Sequence, residues 1–138
     1  MTKHLRYFGL WSIIGYGLIG FVVYLSLTPH PPIEMAFSFG DKIGHFAAYA
    51  VMMGWFACLY DGLSTRLAHT AGLLALGIGL EFVQSTTGYR SFDVGDMVAD
   101  AIGVALGWLA ILPFCPNPLI WGDDLLHAAE VRFQAARD

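Results

Sequence analysis

Charge is what this sequence has least of. Asp, Glu, Lys and Arg make up 13% of its 138 residues, whereas a soluble domain carries about 25%. Seven Lys and Arg are spread thinly against eleven Asp and Glu, for a net charge of −4. No basic patch exists to follow a phosphate backbone, so nucleic-acid partners are excluded. Cysteine is almost as scarce. Cys58 and Cys115 lie far apart, within or at the end of apolar runs, with no CxxC pair and no histidine at metal spacing. That excludes a disulfide framework and a structural zinc site, and both thiols read as small buried hydrophobes. There is no internal repeat and no low-complexity tract. No small-residue A-x-A cleavage pattern precedes "TPHPP", so the first apolar run reads as an uncleaved anchor rather than a signal peptide.

Apolar residues are abundant instead, at 57%, with a mean hydropathy of +0.59. They gather in four runs, residues 8–27, 44–60, 67–84 and 94–114. A bilayer core needs about 20 helical residues, with a working range near 17–25, so each run is long enough to span. The expected fold is an all-α integral membrane protein: a four-transmembrane-helix bundle over residues 1–115, followed by a short C-terminal cytoplasmic helix within 116–138. Pro29, Pro31 and Pro32 end the first helix, because proline lacks an amide proton and turns its predecessor away from helical geometry. The segment "IEMAFSFG" that follows is apolar enough to lie at the interface. In the tail, Asp123 and Asp124 read as caps, and Leu125, Leu126, Ala129 and Phe133 form a weak apolar face. Lys3, Arg6, Arg66, Arg132 and Arg137 fall on one side of the bilayer, and Lys42 and Arg90 on the other. The positive-inside rule then puts both termini in the cytoplasm.

Polar residues are concentrated at one end. The second helix starts where the third ends and the fourth begins, so Asp41, Lys42, His45, Tyr49, Glu81, Gln84, Arg90, Asp93, Asp96 and Asp100 share one face of the membrane. Asp41, His45 and Tyr49 are spaced i, i+4, i+8, which puts them on one side of their helix. Glu81 and Gln84 are three apart, and Asp93, Asp96 and Asp100 follow at three and four. An aspartate at the centre of a membrane helix costs about 2.5–3.5 kcal/mol on insertion scales, so Asp100 is expected to face the bundle interior. Small residues mark close approach: Gly95, Ala99, Gly103 and Gly107 on the fourth helix, Ala71, Ala75 and Gly79 on the third. Packing these two stripes together would gather the carboxylates, and such faces also suit self-association into a homo-oligomer. His30 and His69 have no polar company.

A histidine oriented by a carboxylate can act as a general base or nucleophile near neutral pH, and Lys and Arg can hold phosphate. That set suits a phosphorylated lipid headgroup. His45 with Glu81, Asp96 and Asp93 could instead hold a divalent cation, but the spacing matches no zinc signature such as HExxH, and no metal or other cofactor is assigned. Proton or ion movement through Asp100 is a third option, for which four short helices leave little room.

The order "DKIGHFAAYAVM" then "GIGLEFVQSTTGYRSFDVGDMVADAIGVALG" resembles the VanZ-like family of small membrane proteins, named for a teicoplanin resistance protein. Asp41, Lys42, His45, Phe46 and Tyr49 match its D-K-x-x-H-F-x-x-Y block. Glu81 and Gln84 match E-x-x-Q, and Arg90, Asp93, Asp96, Gly103 and Gly107 match the third block. Where the family has Asn, this chain has Asp100, which can carry a charge or a proton. The resemblance covers Asp41 to Gly107 and implies a multi-pass protein of the bacterial cytoplasmic (inner) membrane. On this reading an outward-facing cluster binds and can modify a cell-envelope lipid, or a lipid-linked envelope precursor, linked to glycopeptide resistance. His45, Asp41, Glu81 and Asp96 would be catalytic, and Lys42, Tyr49, Gln84, Arg90, Asp93 and Asp100 would bind substrate. The alternative is a non-enzymatic interaction module in which the same cluster is structural.

Overall fold

The computed structural model describes residues 5–29, 40–111 and 117–137. Every regular element among them is helical: α1 (Phe8–Leu27), α2 (Gly40–Leu59), α3 (Leu63–Ser85), α4 (Val94–Gly107) and α5 (Pro118–Ala135), with one 3-10 turn at Trp108–Ile111. His4, His30, the interfacial segment 33–39, the end of the fourth run at 112–114 and Cys115 lie outside the described residues.

The helices depart from the sequence expectation at their ends, for local reasons. α2 starts at Gly40, so Asp41 lies inside the first turn, where a carboxylate complements the positive end of the helix dipole. α4 gives way to a tighter 3-10 turn after Gly107. α5 begins well before the two aspartates expected to cap it. Its cap is Asn117, whose Oδ1 accepts from the Leu119 amide at 3.0 Å, with Pro118 fitting the first helical position.

α2 is the centre of the bundle. Tyr49, Met52, Met53, Phe56, Ala57, Cys58 and Leu59 are all buried along it. α4 lies against α2 through its glycines. A Cβ on Gly107 would stand 2.5 Å from Met53 Cβ and 2.7 Å from the Gly54 amide nitrogen, and one on Gly103 would collide with the Phe46 carbonyl. The small-residue stripe of α4 therefore meets α2, correcting the expected pairing of that stripe with the one on α3. Ala71, Ala75 and Gly79 of α3 are exposed, and α3 turns Leu73, Gly77, Leu80, Glu81 and Gln84 inward instead.

α1 and α3 are long and apolar enough to cross a membrane. Their outward faces carry Leu10, Ile13, Phe21 and Tyr24, and Leu67, Ile78, Phe82 and Val83. Val98, Ile102 and Leu106 extend the same kind of surface on α4. A helix that is apolar on its exposed side suits lipid, whereas soluble monomers rarely expose large contiguous apolar patches.

Side chains tie the ends of the bundle. The last turn of a helix leaves carbonyls without partners. At the end of α1 these are met from the α3–α4 corner: Gln84 Nε2 donates to Ser26 O at 2.8 Å and Tyr89 OH to Leu27 O at 2.6 Å. The corner itself turns at Gly88, whose φ of 77° favours glycine. At the opposite end Arg66 donates to Ala57 O at 3.0 Å and Asn117 to Cys58 O at 3.0 Å.

Asp123 performs the largest service there. Its carboxylate accepts from the amides of Arg6 and Tyr7 at 2.8 and 2.9 Å and from the Trp11 indole at 2.9 Å, so α5 caps the start of α1. Burial alone would raise this carboxyl, but the Tyr7 amide, the Trp11 N–H and the Arg6 amide outweigh it and hold Asp123 below the usual carboxylate range. A depressed folded-state value stabilises the fold above the unfolded pKa of about 3.9, and the stability is lost as pH falls through the lower folded value. Asp123→Ala is expected to cost about 1.5–3 kcal/mol, the scale of hydrogen bonds to a charged acceptor. It should also flatten the acid limb of the stability curve. Thermal unfolding in detergent from pH 3 to 7 checks both.

Candidate functional site

The other end of the bundle holds the ionisable residues, in two ladders that face each other. On α2 the exposed Asp41 is followed one turn deeper by His45 and one turn deeper again by the buried Tyr49. Across from it, Asp93 caps α4 from outside and Asp96 and Asp100 follow at one-turn intervals, both buried. Side-chain exposure falls from 46% at Asp93 to 9% at Asp96 and 3% at Asp100. The close α2–α4 approach at Gly103 and Gly107 brings these ladders within hydrogen-bonding reach.

The outer rung is basic and acidic in alternation. Arg90 donates to Asp41 Oδ2 at 2.9 Å, and Lys42 pairs with Asp93 and with Asp96 Oδ1, the latter at 2.9 Å. Gly95 makes room for this lysine: a Cβ there would stand 2.6 Å from Lys42 Nζ. The Lys42 ammonium and the Gly95 amide hold Asp93, which precedes α4, below the usual carboxylate range. In the middle rung, His45 Nε2 faces Asp96 Oδ2 at 3.9 Å. In the inner rung, His45 Nδ1 lies 3.0 Å from Asp100 Oδ1. A carboxylate accepts at this distance, so Nδ1 carries the proton and Nε2 keeps its lone pair on the outer side.

Three polar atoms at the floor are buried without a hydrogen-bond partner among the described residues: Tyr49 OH, Asp100 Oδ2 and Glu81 Oε1. The first two border Gly77 of α3, where a Cβ would stand 3.2 Å and 2.5 Å from them. Glu81 reaches across from α3, and its Oε2 accepts the Asp93 amide at 2.9 Å. One carboxylate thus fixes the start of α4 and keeps its second oxygen free inside the bundle.

Asp41, Lys42, His45, Tyr49, Glu81, Arg90, Asp93, Asp96 and Asp100 therefore belong to one assembly. Gln84 does not join it, because its amide is engaged by the end of α1. Gly77 is the residue that sequence reasoning missed. Its position four residues before Glu81, on the same face of α3, is the signal that could have found it. A combination that spacing along one helix could not show also emerges. Asp41, His45 and Asp96, from two helices, each offer a ligand atom, and these atoms lie within 4.8 Å of one another. His69, by contrast, stacks on Phe56 and Tyr60 at ring-centroid separations of 4.3 and 4.9 Å and bonds the Thr65 carbonyl of its own helix.

Comparison with known proteins adds two matches. A family model described as VanZ/LLP1 matches residues 5–115. The chain is also 36% identical over 90 residues to the uncharacterized protein C11E3.10 of the yeast Schizosaccharomyces pombe, an alignment covering 62% of this chain and 52% of that protein. The chain thus spans about half the length of the curated relative it matches. No solved structure matches it.

Proposed function

The chain belongs to the VanZ/LLP1 family, and from that membership we propose that it is a four-span membrane protein that binds a phosphorylated lipid headgroup at its polar end and acts on it. In this reading α2 and α4 complete the bundle whose outer helices are α1 and α3. One observation carries the chemistry. His45 sits between a buried carboxylate that fixes its tautomer and Asp96 on its outer side, which its free nitrogen faces one turn below the exposed rim. That is the arrangement of a general base aimed at a group entering from the membrane surface. Lys42 and Arg90 mark the rim as a place for phosphate, and the lipid-facing surfaces of α1, α3 and α4 let the attached chains stay in the bilayer.

Orientation with both termini in the cytoplasm rests on the distribution of Lys and Arg, and a bacterial inner-membrane location with a link to glycopeptide resistance rests on the family's namesake. A relative in yeast fits a substrate chemistry wider than bacterial envelope precursors, and the rim cations fit a lipid-linked phosphate. The test is binding and turnover by the purified protein in nanodiscs, comparing a polyprenyl phosphate, a polyprenyl pyrophosphate and the unphosphorylated polyprenol. Saturable binding of a phosphorylated lipid, with release of phosphate, is the expected result. Equal affinity for the polyprenol would remove the phosphate from the reading.

A second reading has its own support: Lys42 and Arg90 are already engaged by Asp93, Asp96 and Asp41, as in a structural network that locks the helices. Folding and partner assembly that fail with the charge-neutral variants Glu81→Gln and Asp100→Asn, with no lipid phosphate bound by the wild type, would favour this reading.

A further inference from the structure

The polar end carries more acid than base. Asp41, Glu81, Asp93, Asp96 and Asp100 gather there with two permanent cations among the described residues, Lys42 and Arg90, and both are already paired with aspartates. An anionic headgroup approaching such a site meets excess negative charge in a medium that screens it poorly. A bound cation would offset that charge.

We propose that Asp41, His45 and Asp96 hold a divalent transition-metal cation, with coordination positions left open for a phosphate oxygen. The three ligand atoms lie within 4.8 Å of one another, and they come from helices locked together at Gly103 and Gly107. Asp100 accepts a hydrogen bond from His45 Nδ1–H, which leaves Nε2 as the ligand and reproduces the carboxylate–histidine–metal relay by which an outer carboxylate orients a metal-binding imidazole. Nε2 and Asp96 Oδ2 stand 3.9 Å apart, too far for a hydrogen bond. Metal bonds of about 2.0–2.2 Å from each atom meet between them. Lys42 takes only Oδ1 of Asp96, so Oδ2 stays available.

Glu81 gives an independent pointer. Its side chain is 1% exposed, its Oε1 has no hydrogen-bond partner among the described residues, and it shares its electrostatic environment with His45, Asp96 and Asp100. A buried carboxylate oxygen kept bare beside a histidine and two further acids is what a cation, or a water bound to it, would satisfy. One imidazole among carboxylates favours Zn²⁺ or Mn²⁺ over Ca²⁺ or Mg²⁺, which prefer all-oxygen shells. Bound there, the ion would neutralise the acids and polarise a phosphate oxygen. That role rests on the function proposed above, but the binding itself does not; with the ion in place His45 Nε2 would be its ligand, and a water on the ion rather than the imidazole would be the base.

The test is calorimetric titration of the EDTA-treated protein in detergent with ZnCl₂ and with MnCl₂, the latter also followed by electron paramagnetic resonance. The wild type should take up one equivalent per chain. His45→Gln and Asp96→Asn should weaken binding at least 100-fold, and Asp100→Asn by about 10–100-fold, as for other residues that orient a metal-binding histidine. Glu130→Gln, at the far end of the bundle, should bind as the wild type does. If the buried variants misfold, Asp41→Asn decides the matter, because that side chain is 58% exposed and its loss spares the core. A wild type with no saturable binding, or an unchanged affinity in Asp41→Asn, overturns the site. Ion binding without any affinity for polyprenyl phosphate sustains the site and overturns the proposed function. Polyprenyl phosphate binding in EDTA by a protein that takes up no ion does the reverse.

Discussion

Replacing His45 with alanine is expected to lower turnover of the phosphorylated lipid by about 10²–10⁴-fold, the range over which a positioned acid or base contributes. The fall should appear equally in kcat and in kcat/KM, because the base, whether the imidazole or a water on an ion it holds, acts in the transition state and Lys42 and Arg90 still hold the rim. His45→Ala also strips Asp100 of its partner, leaving a carboxylate that is 3% exposed with no hydrogen bond on either oxygen. A stability loss of about 1–3 kcal/mol from the bare acceptor must therefore be separated from the catalytic loss. The double variant His45→Ala/Asp100→Ala does this, since removing both partners relieves the orphaned acid while activity stays absent. Activity restored in the double variant would make His45 a packing residue. A single-variant pH–rate profile that keeps its neutral limb would take it out of the proton path.

Much of this site is readable from spacing alone. Asp41, His45 and Tyr49 at four-residue intervals, and Asp93, Asp96 and Asp100 at three and four, are helical ladders wherever they occur, and their depth follows from the helix rise. Sequence does not say which helix lies opposite. Two small-residue stripes, on α3 and α4, invite pairing with each other, yet the α3 stripe points outward and α2, with Ala50 and Gly54 at the crossing, receives α4. A stripe records that a backbone can come close and carries no identity for the partner. Gln84 misleads for a related reason. E-x-x-Q puts it on the same face as Glu81, but it lies one turn later, level with the unsatisfied carbonyls of α1, and hydrogen bonding there decides its role. Asp123 reads as a cap of its own helix and caps another one, because a carboxylate in the middle of α5 happens to meet the free amides at the start of α1.

The α2–α4 crossing should be the most sensitive point of the bundle, and Gly103→Val tests it. A Cβ at Gly103 would overlap the Phe46 carbonyl oxygen and stand 3.1 Å from both the Ala50 nitrogen and Tyr49 Cβ. Two of these three neighbours are backbone atoms, which cannot rotate away as a side-chain tip would, so the helices must separate. Overpacking a well-filled contact costs about 1–3 kcal/mol and occasionally more, and a branched side chain against backbone belongs at the upper end. Separation also reaches the site. Asp100 is three residues before Gly103 and His45 one turn before Tyr49, so the 3.0 Å bond between them opens together with the crossing. Gly103→Val should thus lower the thermal midpoint in detergent by many degrees and lose metal and lipid phosphate together. Gly79→Val, on the outward stripe where a Cβ meets nothing within 4 Å, should change neither. Helix propensity cannot account for a loss, because valine ranks above glycine at both positions, so equal losses in the two variants would remove close approach as the cause. A loss confined to Gly103→Val assigns it to the crossing, and with it the spacing of the two ladders on which any chemistry at His45 depends.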